Sequence, residues 1–508
     1  MRQSGILMHI TSLPGPYGVG TMGKQAYAFV DFLKESGQSL WQILPVTPTG
    51  YGDSPYQSCS AYAGNHYLID LDRLVEDGLL TAADLENISW NETEDRVDFG
   101  KLYAKRLPLL RKAFTRFREN EDFRRFWEEN RDWLWDFALY MALKDRHDGA
   151  PWYLWAAELK RREPDALERA RQDLAENIRF YAFLQYLFAC QWQDLREYAH
   201  KAGVQIIGDV PIYVPLDSCE VWTDPQLFWL DENRTPVCVA GCPPDGFTQD
   251  GQLWGNPLYR WDVHAQEDYR WWVRRMSAAA KRYDIVRIDH FRGFESYWAV
   301  PYGDKTARNG SWHKGPGLDF VKSLRRQLPS VRMIAEDLGY MTEDVIRLRV
   351  ASGYPGMKVL MFAFDSREPS EYLPYQYIPN SVCYTGTHDN LTARQWSETA
   401  EPEAVAYAKA YMAQAPGETF SWAMIRTAMA SPSDLCIIPL QDYLDLGEAG
   451  RMNLPGSCTS RNWTWRAKAD AFGPDLADRI LRLTRLYGRN NANKTANAVF
   501  DKNGEMRV

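Results

Sequence analysis

Eight short runs of apolar and β-branched residues, separated by stretches of helical periodicity, constrain this chain more than any other feature. They are ILMHITS (6–12), LWQILPVT (40–47), VQIIGDV (204–210), DIVRID (284–289), VRMIAED (331–337), MKVLMFAF (357–364), VCYTGTHD (382–389) and LCIIPLQD (435–442). Continuous apolar runs of this length suit strands covered on both faces, as in a parallel sheet. Between them, Lys24–Ser36 is followed by Gly37 at a helix C-cap position. Glu267–Tyr283, Phe320–Leu328 and Thr342–Val350 carry apolar residues at three- and four-residue spacing, the mark of a helix with one buried face. Eight strands alternating with helices predict an α/β fold, a (β/α)8 barrel of TIM type, with a doubly wound open sheet as the alternative.

Two spacings exceed a plain barrel connection. About 150 residues separate the second and third runs, largely helical in pattern and rich in Trp and Phe, as in RRFWEENRDWLWDFALYMALKDRH (124–147). This predicts a large helical insertion after strand 2, at roughly 48–170. After strand 3, the stretch CPPDGFTQDGQLWGNPLY (242–259) has no periodicity and is rich in Pro, Gly and Asp. A long ordered loop of that kind is usually functional, so 211–265 is expected to be an insertion carrying a functional loop. No repeat, low-complexity tract or linker intervenes, and 1–508 is expected to be a single catalytic barrel with these insertions.

Bulk properties exclude several classes. A net charge of -8 without a Lys/Arg-rich run argues against nucleic acid or an anionic membrane surface as partner. The apolar stretch around Phe180–Trp192 is interrupted by Gln185 and too short to span a bilayer. The opening MRQSGILMHITSLPG lacks a signal-peptide core and cleavage site, so a cytoplasmic location is expected. Eight cysteines in 508 residues are too sparse for a disulfide framework, and Cys238 and Cys242 lack a second pair at zinc-site spacing. Neither a metal nor a cofactor is expected. GPYGVG (15–20) does not match a nucleotide-binding glycine motif and reads as a turn. The 20 Trp and 28 Tyr mostly reflect core packing, but flat rings also stack on the C–H faces of sugars.

In such a barrel, chemistry sits at the carboxyl ends of the strands. The apolar runs end in acids: Asp209, Asp289, Glu336, Asp365, Asp389 and Asp442. Any one of them is equally well read as a helix N-cap. Several converging on one rim need a substrate or cation to justify them. Strand alternation places Arg287 on the same face as Asp289, and a guanidinium there favours the ionised form that a nucleophile requires. Glu336, held among other carboxylates, would keep its proton near neutral pH and act as general acid. His290 and His388 each adjoin an acid and suit hydrogen bonding to sugar hydroxyls.

RIDHFRG, AEDLG and THDN resemble the conserved regions of the α-amylase clan, and GDVPIYV (208–214) resembles the region holding its structural aspartate. SLPGPYGVGTMG, DSPYQSCSAYAGNHYLID (53–70) and PPDGFTQDGQLWGNP (243–257) are similar to one branch of it, the amylomaltase or disproportionating-enzyme family, glycoside hydrolase family 77. The resemblance spans essentially the whole chain. It implies a 4-α-glucanotransferase with Asp289 as nucleophile, Glu336 as acid/base and Asp389 as a third carboxylate that steadies the transition state. It implies that Tyr56, Asp209, Arg287, His290 and His388 bind sugar, that Asp245, Gln252 and Trp254 belong to a lid over the acceptor side, and that Asn462, with Trp463, reaches the same cleft. The expected partners are maltooligosaccharides, glucans derived from starch or glycogen, and glucose as acceptor. The implied mechanism is a retaining double displacement, which needs the two carboxyl groups roughly 5–5.5 Å apart. An α-amylase-type hydrolase using the same three acids is the nearest rival, and a catalytically dead glucan-binding protein the more distant one.

Overall fold

A computed structural model describes residues 2–50, 52–244, 249–365 and 370–490. Eight parallel strands close into a barrel. They are β1 (Gln3–Leu7), β2 (Leu40–Gln42), β3 (Gln205–Pro211), β6 (Ile285–Asp289), β9 (Arg332–Ala335), β10 (Gly356–Val359), β11 (Ser381–Tyr384) and β12 (Leu435–Pro439). Their order around the barrel is β1-β12-β11-β10-β9-β6-β3-β2. The remaining strands, β4 (Cys238–Cys242), β5 (Gln252–Pro257), β7 (Ser296–Pro301) and β8 (Ser311–Lys314), form a separate antiparallel sheet in the order β5-β4-β7-β8.

Each of the eight apolar runs supplies one barrel strand, and every strand but β3 is shorter than its run. In ILMHITS the strand stops at Leu7 and Ile10–Ser12 coils into a 3-10 turn. In MKVLMFAF it stops at Val359 before a second such turn, Leu360–Ala363. The run is apolar throughout because the turn at the barrel mouth is buried as well as the strand: Leu360, Met361 and Ala363 are all buried. The outer helices follow from periodicity. Lys24–Glu35 buries Ala26, Phe29, Val30 and Leu33 on one stripe, and Gly37 takes φ +71 just past its end, a left-handed conformation that costs glycine least.

Among the described residues, eight α-helices lie between β2 and β3, the longest being Ala175–Lys201, which packs on both Lys24–Glu35 and β3. Between β3 and β6 the structure departs from a simple loop. The Pro/Gly-rich stretch contributes β4 and β5, and a second excursion after β6, not anticipated from the sequence, adds β7 and β8. One face of this sheet joins the main core through Ala240, Tyr297 and Ala299; the other forms a small cluster of Val239, Val300 and Ala307. Among the described residues, no helix is long and apolar enough to cross a membrane.

One seam of the barrel differs from the rest. β9 and β10 pair at a single position, Ala335 with Gly356, whereas β3 and β6 pair at five. Beyond that point a side chain replaces the ladder: Asp337 Oδ1 accepts the backbone N–H of Met357 at 2.7 Å. The Asp337 carboxylate occupies the space a Cβ at position 356 would need, with Oδ2 at 2.4 Å from it.

Candidate active site

Strand register brings the first charged groups together. Asp209 of β3 pairs with Arg287 of β6, and Pro211 pairs with Asp289 two residues on. Arg287 Nη1 lies 2.6 Å from Asp209 Oδ2 and 2.9 Å from Asp289 Oδ1. The Arg287 side chain is 4% exposed and that of Asp209 is fully buried. Burial works against the guanidinium's charge, but Asp209 and Asp289 outweigh it and hold Arg287 well above its ordinary value. Removing one partner of such a buried pair would strand the other charge, at a cost of about 3–5 kcal/mol. Asp209 Oδ2 also accepts the Tyr56 hydroxyl at 2.8 Å, so one buried carboxylate positions both an aromatic and a cation of the site.

The next strand brings Glu336 alongside. Ile288 of β6 pairs with Ala335 of β9, Glu336 N–H donates to the Ile288 carbonyl, and Phe291 N–H donates to the Glu336 carbonyl. The Glu336 carboxyl is fixed by two backbone donors: His290 N–H to Oε2 at 2.7 Å and Leu338 N–H to Oε1 at 2.8 Å. The first of these comes with an unusual backbone at His290, φ 57 in the left-handed region, a strain of order 1–3 kcal/mol for a non-glycine residue. Strain at the residue after Asp289 thus accompanies a direct link between the two carboxyl-bearing strands.

Electrostatics then separate the two acids. Burial, reinforced by the charge of Asp289, raises Glu336 to about 8. Burial also raises Asp289, to about 6, but Arg287 in contact with it limits the rise. At neutral pH the pair holds one proton on Glu336 and a negative charge on Asp289. That is the division of labour between a general acid and a nucleophile. His290 is pushed down to about 3 by burial, with Arg292 adding to the effect, so its ring stays neutral and can both give and accept a hydrogen bond.

Asp389 lies on the open side, its side chain 44% exposed. Asn453 Nδ2 donates to its Oδ1 at 2.7 Å, and His388 Nε2 lies 3.4 Å from its Oδ2. The His388 ring stacks on Tyr56, centroids 5.1 Å apart and planes within 17°, and Trp463 stands 5.9 Å from both rings. Across the site, Trp254 meets His290 edge-on at 4.7 Å and donates from Nε1 to Gln252 Oε1 at 3.2 Å. Asp209, Asp289, Glu336, Asp389, Arg287, His290, His388, Tyr56 and Trp254 are thus linked through these contacts.

The structure distributes the remaining candidates differently. Asn462 directs its side chain into its own loop, bonding Leu454 N–H, the Thr459 hydroxyl and the Ser457 carbonyl, and the aromatic beside it, Trp463, is the residue that reaches His388. Asp442 is buried and caps structure, accepting Ala393 N–H at 2.8 Å and the Thr385 hydroxyl. Asp245 lies outside the described residues. Asn453, which orients Asp389, had no sequence signal beyond its place in a Pro/Gly-flanked turn, MNLPG.

The chain is similar to known proteins along nearly its whole length. Residues 8–470 match the family model described as 4-alpha-glucanotransferase. The chain is 48% identical to a 4-alpha-glucanotransferase of Streptococcus pneumoniae, across 97% of this chain and 98% of that one. It is 45% identical to one of Clostridium butyricum, across 95% and 100%. Among solved structures, an amylomaltase from Streptococcus agalactiae in complex with acarbose superimposes with a TM-score of 0.94 at 43% identity, covering 97% of this chain and all of that one.

Proposed function

This chain belongs to the 4-alpha-glucanotransferase family, and from that premise we propose how its residues divide the work. The substrates are maltooligosaccharides and other α-1,4-glucans, with glucose among the acceptors. Asp289 attacks the anomeric carbon while Glu336 gives its proton to the departing glycosidic oxygen. The released end diffuses away, and the 4-hydroxyl of a second glucan enters. Glu336, now a carboxylate, takes that hydroxyl's proton as the oxygen displaces Asp289, so configuration is retained after two inversions. The observation that carries this reading is the single residue step between the two acids. Glu336 is held by the N–H of His290, directly after Asp289.

Other side chains bind and orient. Arg287 keeps the nucleophile ionised and Asp209 holds Arg287 in place. Tyr56, stacked on His388, forms one wall of the first sugar subsite, and Asp389, steadied by Asn453, is set to hold sugar hydroxyls. Gln252 and Trp254, in the insertion 211–265, form the lid on the acceptor side. The indole against His290 supports a role in keeping water from the intermediate, so that a sugar hydroxyl wins the competition. A cytoplasmic setting fits a chain with so few cysteines.

Two results test this. Incubation with maltotriose alone should give glucose together with a ladder of maltodextrins longer than the starting sugar, seen by chromatography. Products confined to glucose and maltose would make the chain a hydrolase. The pH profile of kcat/KM should be bell-shaped. Activity requires Asp289 ionised, so it rises with pH through about 6. It requires Glu336 protonated, so it falls again through about 8. A profile still rising at pH 9 would contradict the acid role of Glu336.

A further inference from the structure

β8 is the edge strand of the antiparallel sheet, and its Trp312 is 41% open to solvent. An indole left partly wet calls by itself for no explanation, and Trp135 is as open. The orientation of Trp312 is nonetheless fixed. The Arg292 guanidinium carbon lies 4.1 Å from the Trp312 ring centroid, and Trp298 meets the ring edge-on at 5.2 Å. Arg292 is itself held, donating from Nη1 to the Tyr340 carbonyl at 2.9 Å and from Nη2 to Ser296 Oγ at 3.0 Å. The Tyr340 side chain belongs to a residue 71% exposed, among the most open large side chains of the chain. Both supports grow out of the catalytic loops: Arg292 lies three residues beyond Asp289, and Tyr340 four beyond Glu336.

We infer that Trp312 and Tyr340 form a distal platform for α-1,4-glucan, engaging glucose units of a chain whose nearer units already occupy the cleft. This rests on the glucan-transfer reading of the active site. The chemistry favours a neutral sugar over an anion, because Arg292 is buried and its two terminal nitrogens are committed to protein acceptors. What remains at the surface is two aromatic rings, one pre-oriented by its cation, and flat apolar rings match the C–H faces of pyranoses. A glucan anchored in the cleft presents its outer units to such a platform at high effective concentration, so modest stacking becomes measurable. A trisaccharide confined to the cleft would not reach it.

The test is calorimetric binding in an Asp289→Asn background, which prevents turnover, comparing maltoheptaose with maltotriose. Trp312→Ala should weaken maltoheptaose about tenfold while maltotriose moves less than twofold, and Tyr340→Ala should weaken maltoheptaose about threefold with the same selectivity. An unchanged maltoheptaose affinity, or equal losses for both sugars, overturns the platform. If Trp312→Ala does not fold, Tyr340→Ala, at an open position, carries the test alone. Failure of the underlying reading looks different: the Asp289→Asn protein with Trp312 and Tyr340 intact would bind neither sugar.

Discussion

Asp289→Asn is expected to lower turnover of maltotriose by about 10⁴-fold or more, while maltodextrin binding survives. The amide has the size of the acid and can still present an oxygen to Arg287, whose other contact, Asp209, is untouched. Folding should therefore persist, because the buried cation keeps a partner. What the amide lacks is the nucleophilic charge that forms the covalent glucosyl intermediate. Glucose release measured beside calorimetric binding separates the two effects. Activity within tenfold of the parent would remove Asp289 from the attacking role.

Glu336→Gln should cost about 10³-fold on maltotriose, within the range for a lost general acid. It has a structural component as well. Glu336 accepts from both His290 N–H and Leu338 N–H, whereas an amide offers one acceptor oxygen, so one of those donors loses its bond at about 1–3 kcal/mol. Donor choice distinguishes lost proton transfer from a displaced loop. With α-glucosyl fluoride, whose leaving group needs no proton, the first step should recover most of its rate, and the fall in activity above about pH 8 should vanish for that step. Equal losses on both donors would mean that the loop moved, and would leave Glu336 without its proposed function.

Much of this was legible in the sequence, and the exceptions have physical causes. The barrel strands could be read because parallel strands buried on both faces are apolar at every position, as in IVRID and LCIIP. The acids could be read because they fall at or near the ends of those apolar runs, and strand alternation sufficed to pair Arg287 with Asp289. The antiparallel sheet could not. β4 is CVAGC and β8 is SWHK, short segments without clear alternation, embedded in Gly- and Pro-rich chain whose composition signals loop. Asp442 shows the reverse failure: an acid at the end of an apolar run that turned out to cap backbone. Its run has Leu440 where Asp289 has Arg287 two residues earlier, and Ala393 N–H and the Thr385 hydroxyl take its oxygens instead. Asn453 and Trp463 act on Asp389 and His388 from a segment more than sixty residues downstream, a meeting that only the closed barrel arranges.

The weakly laced seam between β9 and β10 makes Gly356 a remote governor of proton delivery. Any side chain there would press on the carboxylate of Asp337, the immediate neighbour of Glu336 in the chain. Because that carboxylate also accepts Met357 N–H where the ladder is missing and pairs with Arg349, such a change would loosen the barrel wall and the acid's loop together. The barrel wall is most sparsely paired beside its proton donor, so a glycine that touches no catalytic side chain is tied to the site through Asp337.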